Sequence, residues 1–385
     1  MNQPYHVRLA IGKYGDETRV ELFTEDLGES AGDRLASGLL SEGTTLDQLA
    51  RGSSLVTADK AREAGRELHR VLLGRSRNSR KWSEVLDQLG RQQRPLRLLV
   101  DAPHEPARDL PFGLLCDPGR DAFLLRPNPG DPPTQIIRIV GRCTPKTSRV
   151  LEKVIRGEPV RVLLVAAESI PPHPEVPAPA LLDLMGDLAA ALHQTDGRYE
   201  VYFVGSEGAV PLSSVTDQPV ENWTPEPFQP LCKADRNGLQ RAIVEGGFDV
   251  VHLLVHGERD YIILCDPVDE RVALSGGELA EWCREGGVDL AFLQFVETNL
   301  EQEPGQFAGF AQLLLDPRGG DLAAVVQAAC PLQGLSGVEM AVEFYRAIAS
   351  GLPYEEALNR EVLSEQDLTW ALLELWMRPG VLRDV

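Results

Sequence analysis

From residue 160 onward the chain alternates short, almost unbroken apolar runs with amphipathic stretches. That rhythm constrains the fold more than any other feature. Residues 161–167 read RVLLVAA, 199–205 YEVYFVG, 248–255 FDVVHLLV and 289–296 DLAFLQFV, with a fifth run at 322–328. A run without polar alternation marks a strand covered on both faces, as in a parallel sheet. Helical spacing falls between and after these runs, at 181–193, 239–245, 277–285, 307–315, 337–350 and 354–363. Strands and helices in this order specify a mainly parallel sheet with right-handed crossovers and helices on both faces. The expected fold class is α/β, a three-layer sandwich. Function in such sheets gathers beyond the carboxyl ends of the strands. The residues to inspect are therefore Glu168, Ser206, His256 with Gly257, Val296 to Thr298, and 327–331.

The first 150 residues read as a smaller α+β unit packed on this sheet. Residues 5–11 and 18–23 are β-type runs with Gly12 and Gly15 between them, a hairpin signal. Residues 59–73 and 81–89 have helical spacing, and 96–101 (LRLLVD) and 135–141 are short strands. Residues 109–118 form a turn or short helix with Phe112 and leucine anchors. The polar, basic stretch 146–159 is expected to join the two halves. The division is an N-terminal subdomain over 1–150 and a main domain over 151–385.

Bulk properties narrow the function classes. Fifty-eight acidic and 38 basic side chains give a formal net charge of −20. A nucleic-acid surface needs clustered Lys and Arg. The one modest basic stretch, Arg75 to Lys81, does not supply it, so no nucleic-acid partner is expected. No apolar run is long enough to span a bilayer, and residues 1–10 lack the apolar stretch of a signal peptide. The six cysteines, Cys116, Cys143, Cys232, Cys265, Cys283 and Cys330, include no C-x-x-C pair. That pattern argues against a zinc site and against a disulfide scaffold. The histidines make no metal-ligand spacing, and neither phosphate-loop nor dinucleotide glycine motifs follow a strand. The expectation is a cytoplasmic protein with reduced thiols, no metal and no cofactor.

Two strand ends carry the one constellation with chemical content. His256 ends the third apolar run and is followed by Gly257, which lets the backbone turn away and leaves the imidazole facing open space. Val296 ends the next run, forty residues later. In a cysteine peptidase of this architecture a His and a Cys from neighbouring strand ends meet over the sheet, and the thiolate attacks the scissile carbonyl. The caspase signature Q-A-C-[RQG]-G lies about 50 residues after its His. Here the matching stretch is Gln294-Phe295-Val296-Glu297-Thr298. The glutamine fits and the cysteine does not.

Taken together, these segments resemble the CHAT domain, a caspase-like family of cysteine peptidases. Residues 248–257 look like its histidine strand, and 291–298 resemble the strand that ends Ala-Cys-Glu-Thr in that family. Residues 309–332 resemble the following helix and strand, and 337–363 and 368–379 the closing helices. Residues 109–118 are similar to its Leu-Pro-Trp-Glu-Leu-Leu element. The resemblance implies a caspase-like fold, with the family's catalytic histidine at His256 and its cysteine position at Val296. Phe295 replaces the small residue before the nucleophile, and Asn299 the glycine after Glu-Thr. Valine has neither a proton to give nor lone pairs to attack with. The resemblance thus implies an inactive pseudopeptidase, regulating or scaffolding a protein partner such as a caspase-like protease in bacterial signalling or defence. The alternative is an active cysteine endopeptidase using His256 with a replaced nucleophile at 296 or a displaced one at Cys330.

Other residues have plainer readings. His252 shares a strand face with His256 and is expected as a core histidine. Cys330 follows the fifth strand, and with a strand intervening its sulfur would sit beyond direct reach of His256. Gly257, Glu297, Thr298 and Cys330 complete the expected pocket. The Gly246-Gly247 and Gly286-Gly287 pairs read as helix stops. Trp370, Leu373 and Trp376 form a stripe at helical spacing, expected in the core.

Overall fold

The computed structural model describes residues 3–14, 17–24, 34–40, 58–74, 76–140, 147–167, 181–195, 197–205, 208–214, 235–258, 261–265, 271–295, 308–316, 320–328, 336–358 and 373–378. In chain order the N-terminal part contributes β1 (Tyr5–Tyr14), β2 (Glu17–Thr24), β3 (Arg34–Leu40), α1 (Ala58–Leu72), α2 (Ser76–Gln92) and β4 (Leu96–Asp101). The short strands β5 (Cys116–Asp117) and β6 (Ala122–Phe123) and then β7 (Thr134–Ile139) follow. Next come α3 (Arg149–Arg156), β8 (Val160–Ala167), α4 (Leu181–His193), β9 (Tyr199–Gly205), β10 (Gly208–Pro211), α5 (Arg236–Gly246) and β11 (Val250–Glu258). The remainder is β12 (Tyr261–Cys265), β13 (Arg271–Ser275), α6 (Gly276–Gly286), β14 (Leu290–Phe295), α7 (Ala308–Leu315), β15 (Ala324–Ala328), α8 (Ser336–Ala349), α9 (Tyr354–Leu358) and β16 (Leu373–Met377).

The apolar runs do form the centre of one sheet, in the order β10-β9-β8-β11-β14-β15-β16-β7-β4-β1-β2-β3. Neighbours from β9 through β15 are parallel. Their side chains alternate between two cores. Val160, Val162, Leu164 and Ala166 of β8 pack on one face with Leu184, Leu188 and Phe344. Leu163 and Val165 pack on the other with Leu239, Leu279 and Phe310. Burial on both faces is why the sequence shows no period of two there. Helices α3, α4, α8 and α9 cover the first face and α5, α6 and α7 the second. The expected three-layer α/β sandwich is therefore observed. Gly247 and Gly287 stop α5 and α6 in left-handed conformations, φ 63° and 68°, just before β11 and β14. A side chain is disfavoured there, which is why the paired glycines mark both stops.

In the N-terminal part, β1 and β2 form the expected hairpin, and α1 and α2 pack leucines and Trp82 on one face of β1, β2 and β4. This part continues the same sheet: β1 pairs β4, β4 pairs β7, and β7 pairs β16.

Two expectations are corrected. The stretch 146–159 is not merely a connector, because Arg149–Arg156 is helix α3. Ser148 caps it through Leu151 N, and Gly157 ends it in a left-handed conformation. Its Val150, Leu151 and Val154 are buried. Its basic side chains explain the polar appearance: Arg149 and Lys153 pair with the buried Asp249 at 2.9 and 2.7 Å. The stripe near the C-terminus is not helical. Leu373–Met377 is strand β16, antiparallel to β15 and parallel to β7. All five residues are buried, so apolar character on both faces imitates helical spacing. Trp376 is core, as expected, while Trp370 lies outside the described residues.

Buried ion pairs flank this junction on opposite faces. Arg97 of β4 pairs with Glu355 of α9 at 2.6 Å, and Arg138 of β7 with Glu374 of β16 at 2.6 Å. Arg138 also donates to the Arg108 and Leu110 carbonyls and lies between the Phe112 and Trp376 rings. Burial pushes the Glu374 carboxyl upward, opposed by Arg138. Among the described residues no helix is long and apolar enough to cross a membrane.

Removing one partner of such a pair strands a buried charge, whereas replacing both with apolar groups is often neutral. Arg138→Met should therefore cost about 3–5 kcal/mol in urea unfolding at neutral pH. Adding Glu374→Leu should restore most of it. The loss should shrink on acidification, because a stranded Glu374 is easier to bury protonated. A single-variant loss under about 1 kcal/mol would contradict this account of the pair.

Candidate functional site

The expected site lies where β8, β11 and β14 end. Val255 of β11 is level with Ala167 of β8 on one side and with Phe295 of β14 on the other. The connection leaving β8 packs α4 on the first face of the sheet. The connection leaving β11 packs α6 on the second. Divergence of successive connections marks a topological switch point, where ligands usually bind in an open α/β sheet. His256 follows Val255 at that divergence.

Beyond Val255, β11 does not turn away at Gly257 as expected. It continues through Glu258, pairing His256 with Ile263, Gly257 with Ile262 and Glu258 with Tyr261 of β12. β12 pairs in turn with β13 and touches β8. Ile262, Leu264 and Leu274 bury the second face of this small antiparallel extension. The short apolar run Tyr261–Cys265 is the one sequence sign of this hairpin, and it is too brief to announce its partner strand Arg271–Ser275.

Strand alternation assigns position 256 to the face that carries His252 and Leu254 in β11 and Phe292 and Gln294 in β14. Val296 follows Phe295, the last residue of β14. Val296, Glu297, Thr298 and Cys330 lie outside the described residues, as does the His256 side chain. The structure thus brings together the strand carrying His256 and the strand leading to Val296, as parallel neighbours in matched register. β15, which leads toward Cys330, lies one strand further away, beyond β14.

Directly beneath the strand ends, His252 is fully buried. Its ring stacks on Phe292 with centroids 4.5 Å apart and planes 4° apart. The Tyr345 hydroxyl lies 3.1 Å from Nδ1. Burial pushes Tyr345 well above the usual phenol range, so its hydroxyl stays protonated. Which of the two groups donates in this bond is set by the imidazole tautomer. Burial depresses its pKa to about 3, opposed only by Gln294. His252 Nε2 and Gln294 Oε1 both lack partners. In the tautomer that protonates Nε2 the two atoms are a complementary donor and acceptor on one face, within reach of a small side-chain adjustment, in keeping with the upward influence of Gln294 on the imidazole. His252 is thus a core histidine, as the sequence reading has it. Tyr345, its polar neighbour, was not foreseen, because nothing in the pattern of α8 separates it from the other apolar anchors there.

The thiols with described surroundings are poor nucleophiles. Burial pushes Cys283 up to about 12. It also raises Cys116, with Arg62 and Arg66 opposing. Cys265 ends β12, and Cys143 and Cys232 lie outside the described residues. His6 and His69 are buried, and His104 and His193 are exposed. No group of three metal-binding side chains occurs among the described residues. Compared with protein-family models the chain matches none, and no curated protein matches it significantly.

The His252 geometry predicts a pH dependence. Its folded pKa, about 3, lies below its ordinary 6.5. The unfolded chain therefore takes up a proton that the folded chain refuses, and stability falls as pH drops below the ordinary value. Between pH 7 and 5 the native chain should lose roughly 2 kcal/mol more unfolding free energy than His252→Gln. Equal losses in chemical denaturation at both pH values would show that His252 is not held neutral.

Proposed function

We propose that this chain is a catalytically inactive, CHAT-like pseudopeptidase whose strand-end crevice holds a protein or peptide partner. The observation that carries the proposal is the parallel pairing of β11 with β14, with Val255 level with Phe295. With that register, the next residue of each strand is the family-type histidine, His256, and the valine at the nucleophile position. Support also comes from the divergence of helices around β11, which favours a crevice at that place. An isopropyl group cannot supply the covalent route of a cysteine peptidase. The partner is read as a caspase-like protease or another component of a bacterial signalling or defence assembly, on the family likeness of the quoted motifs. The acidic charge favours a protein over a nucleic acid, and the cytoplasm is the compartment suited to free thiols such as those of Cys116 and Cys283.

The alternative of a displaced thiol has less support. Cys330 follows β15, and two strand spacings, ~9–10 Å, separate β15 from β11. Direct proton transfer needs about 3 Å.

Reinstalling the missing nucleophile tests the geometry. Val296→Cys should give a thiol that titrates below the ordinary value of about 8.5, followed by the pH dependence of iodoacetamide alkylation. Adding His256→Ala should return it toward that value. A thiol near about 8.5 in both variants would overturn the shared-crevice arrangement. The inactive reading has its own check. The native chain should resist thiol-directed peptidyl probes. Labelling that His256→Ala abolishes would establish a working peptidase instead.

A further inference from the structure

We draw no further inference here: the strongest candidate, the buried pair His252 and Gln294 beneath the ends of β11 and β14, whose Nε2 and Oε1 atoms lack hydrogen-bond partners, belongs to the site already described and is self-complementary.

Discussion

One strand from near the end of the sequence holds the sheet together. β16 enters between β15 and β7, antiparallel to the first and parallel to the second. Because it reverses direction against β15, the strands on its two sides run oppositely. The carboxyl ends of β8, β9, β11, β14 and β15 lie along one edge of the sheet, and those of β7, β4 and β1 along the other. The edge that carries the candidate site is consequently formed by the carboxyl ends of the central parallel block alone. The N-terminal part extends the sheet sideways without contributing a strand end to it. Arg138 and Glu374 are buried among aromatic rings and carbonyls at this junction. Desolvation offsets much of the attraction of an ion pair in such a place.

The opposite edge of the central block is also fixed by buried charge. Asp249 and Asp289 stand at the entrances to β11 and β14. Asp249 accepts from the backbone N–H of Arg161 and pairs with two cations of α3, while Asp289 accepts from Ser148, the cap of the same helix. These contacts anchor the two strands that lead to the candidate site at the end remote from it. Their register at the crevice end thus rests on hydrogen bonding along their length and on polar anchoring below. Beneath the crevice, the neutral His252 stacked on Phe292 adds a rigid, uncharged floor.

Much of this was legible in the sequence, and the failures have physical causes. The five central strands and the helices between them announce themselves because complete burial leaves unbroken apolar runs. The same property hid β16, whose LELWM segment reads equally well as one face of a helix. β12 and β13 escaped notice as a pair because each is short and partnered only locally. Helix α3 was obscured by its own cations, two of which, Arg149 and Lys153, turn out to meet the buried Asp249. At the candidate site, His256 and Val296 were found by spacing and by likeness to family motifs. That their strands are neighbours was an inference from fold class, and the β11–β14 ladder supplies its geometric basis.

By itself the sequence determined the composition of the candidate site: a histidine closing one apolar run, a valine closing the next, and no clustered basic run or metal-ligand spacing. It also determined the local elements, since apolar runs, helical spacing and paired glycines act over a few residues. Only the tertiary structure decided which strands lie side by side, that β11 runs on into a hairpin, and that the last strand fills the middle of the sheet. Those choices depend on which segments meet, whether a few positions apart as in the β11–β12 hairpin, forty apart as β11 and β14, or 236 apart as Arg138 and Glu374. Local periodicity carries no information about which distant partner a buried group will meet.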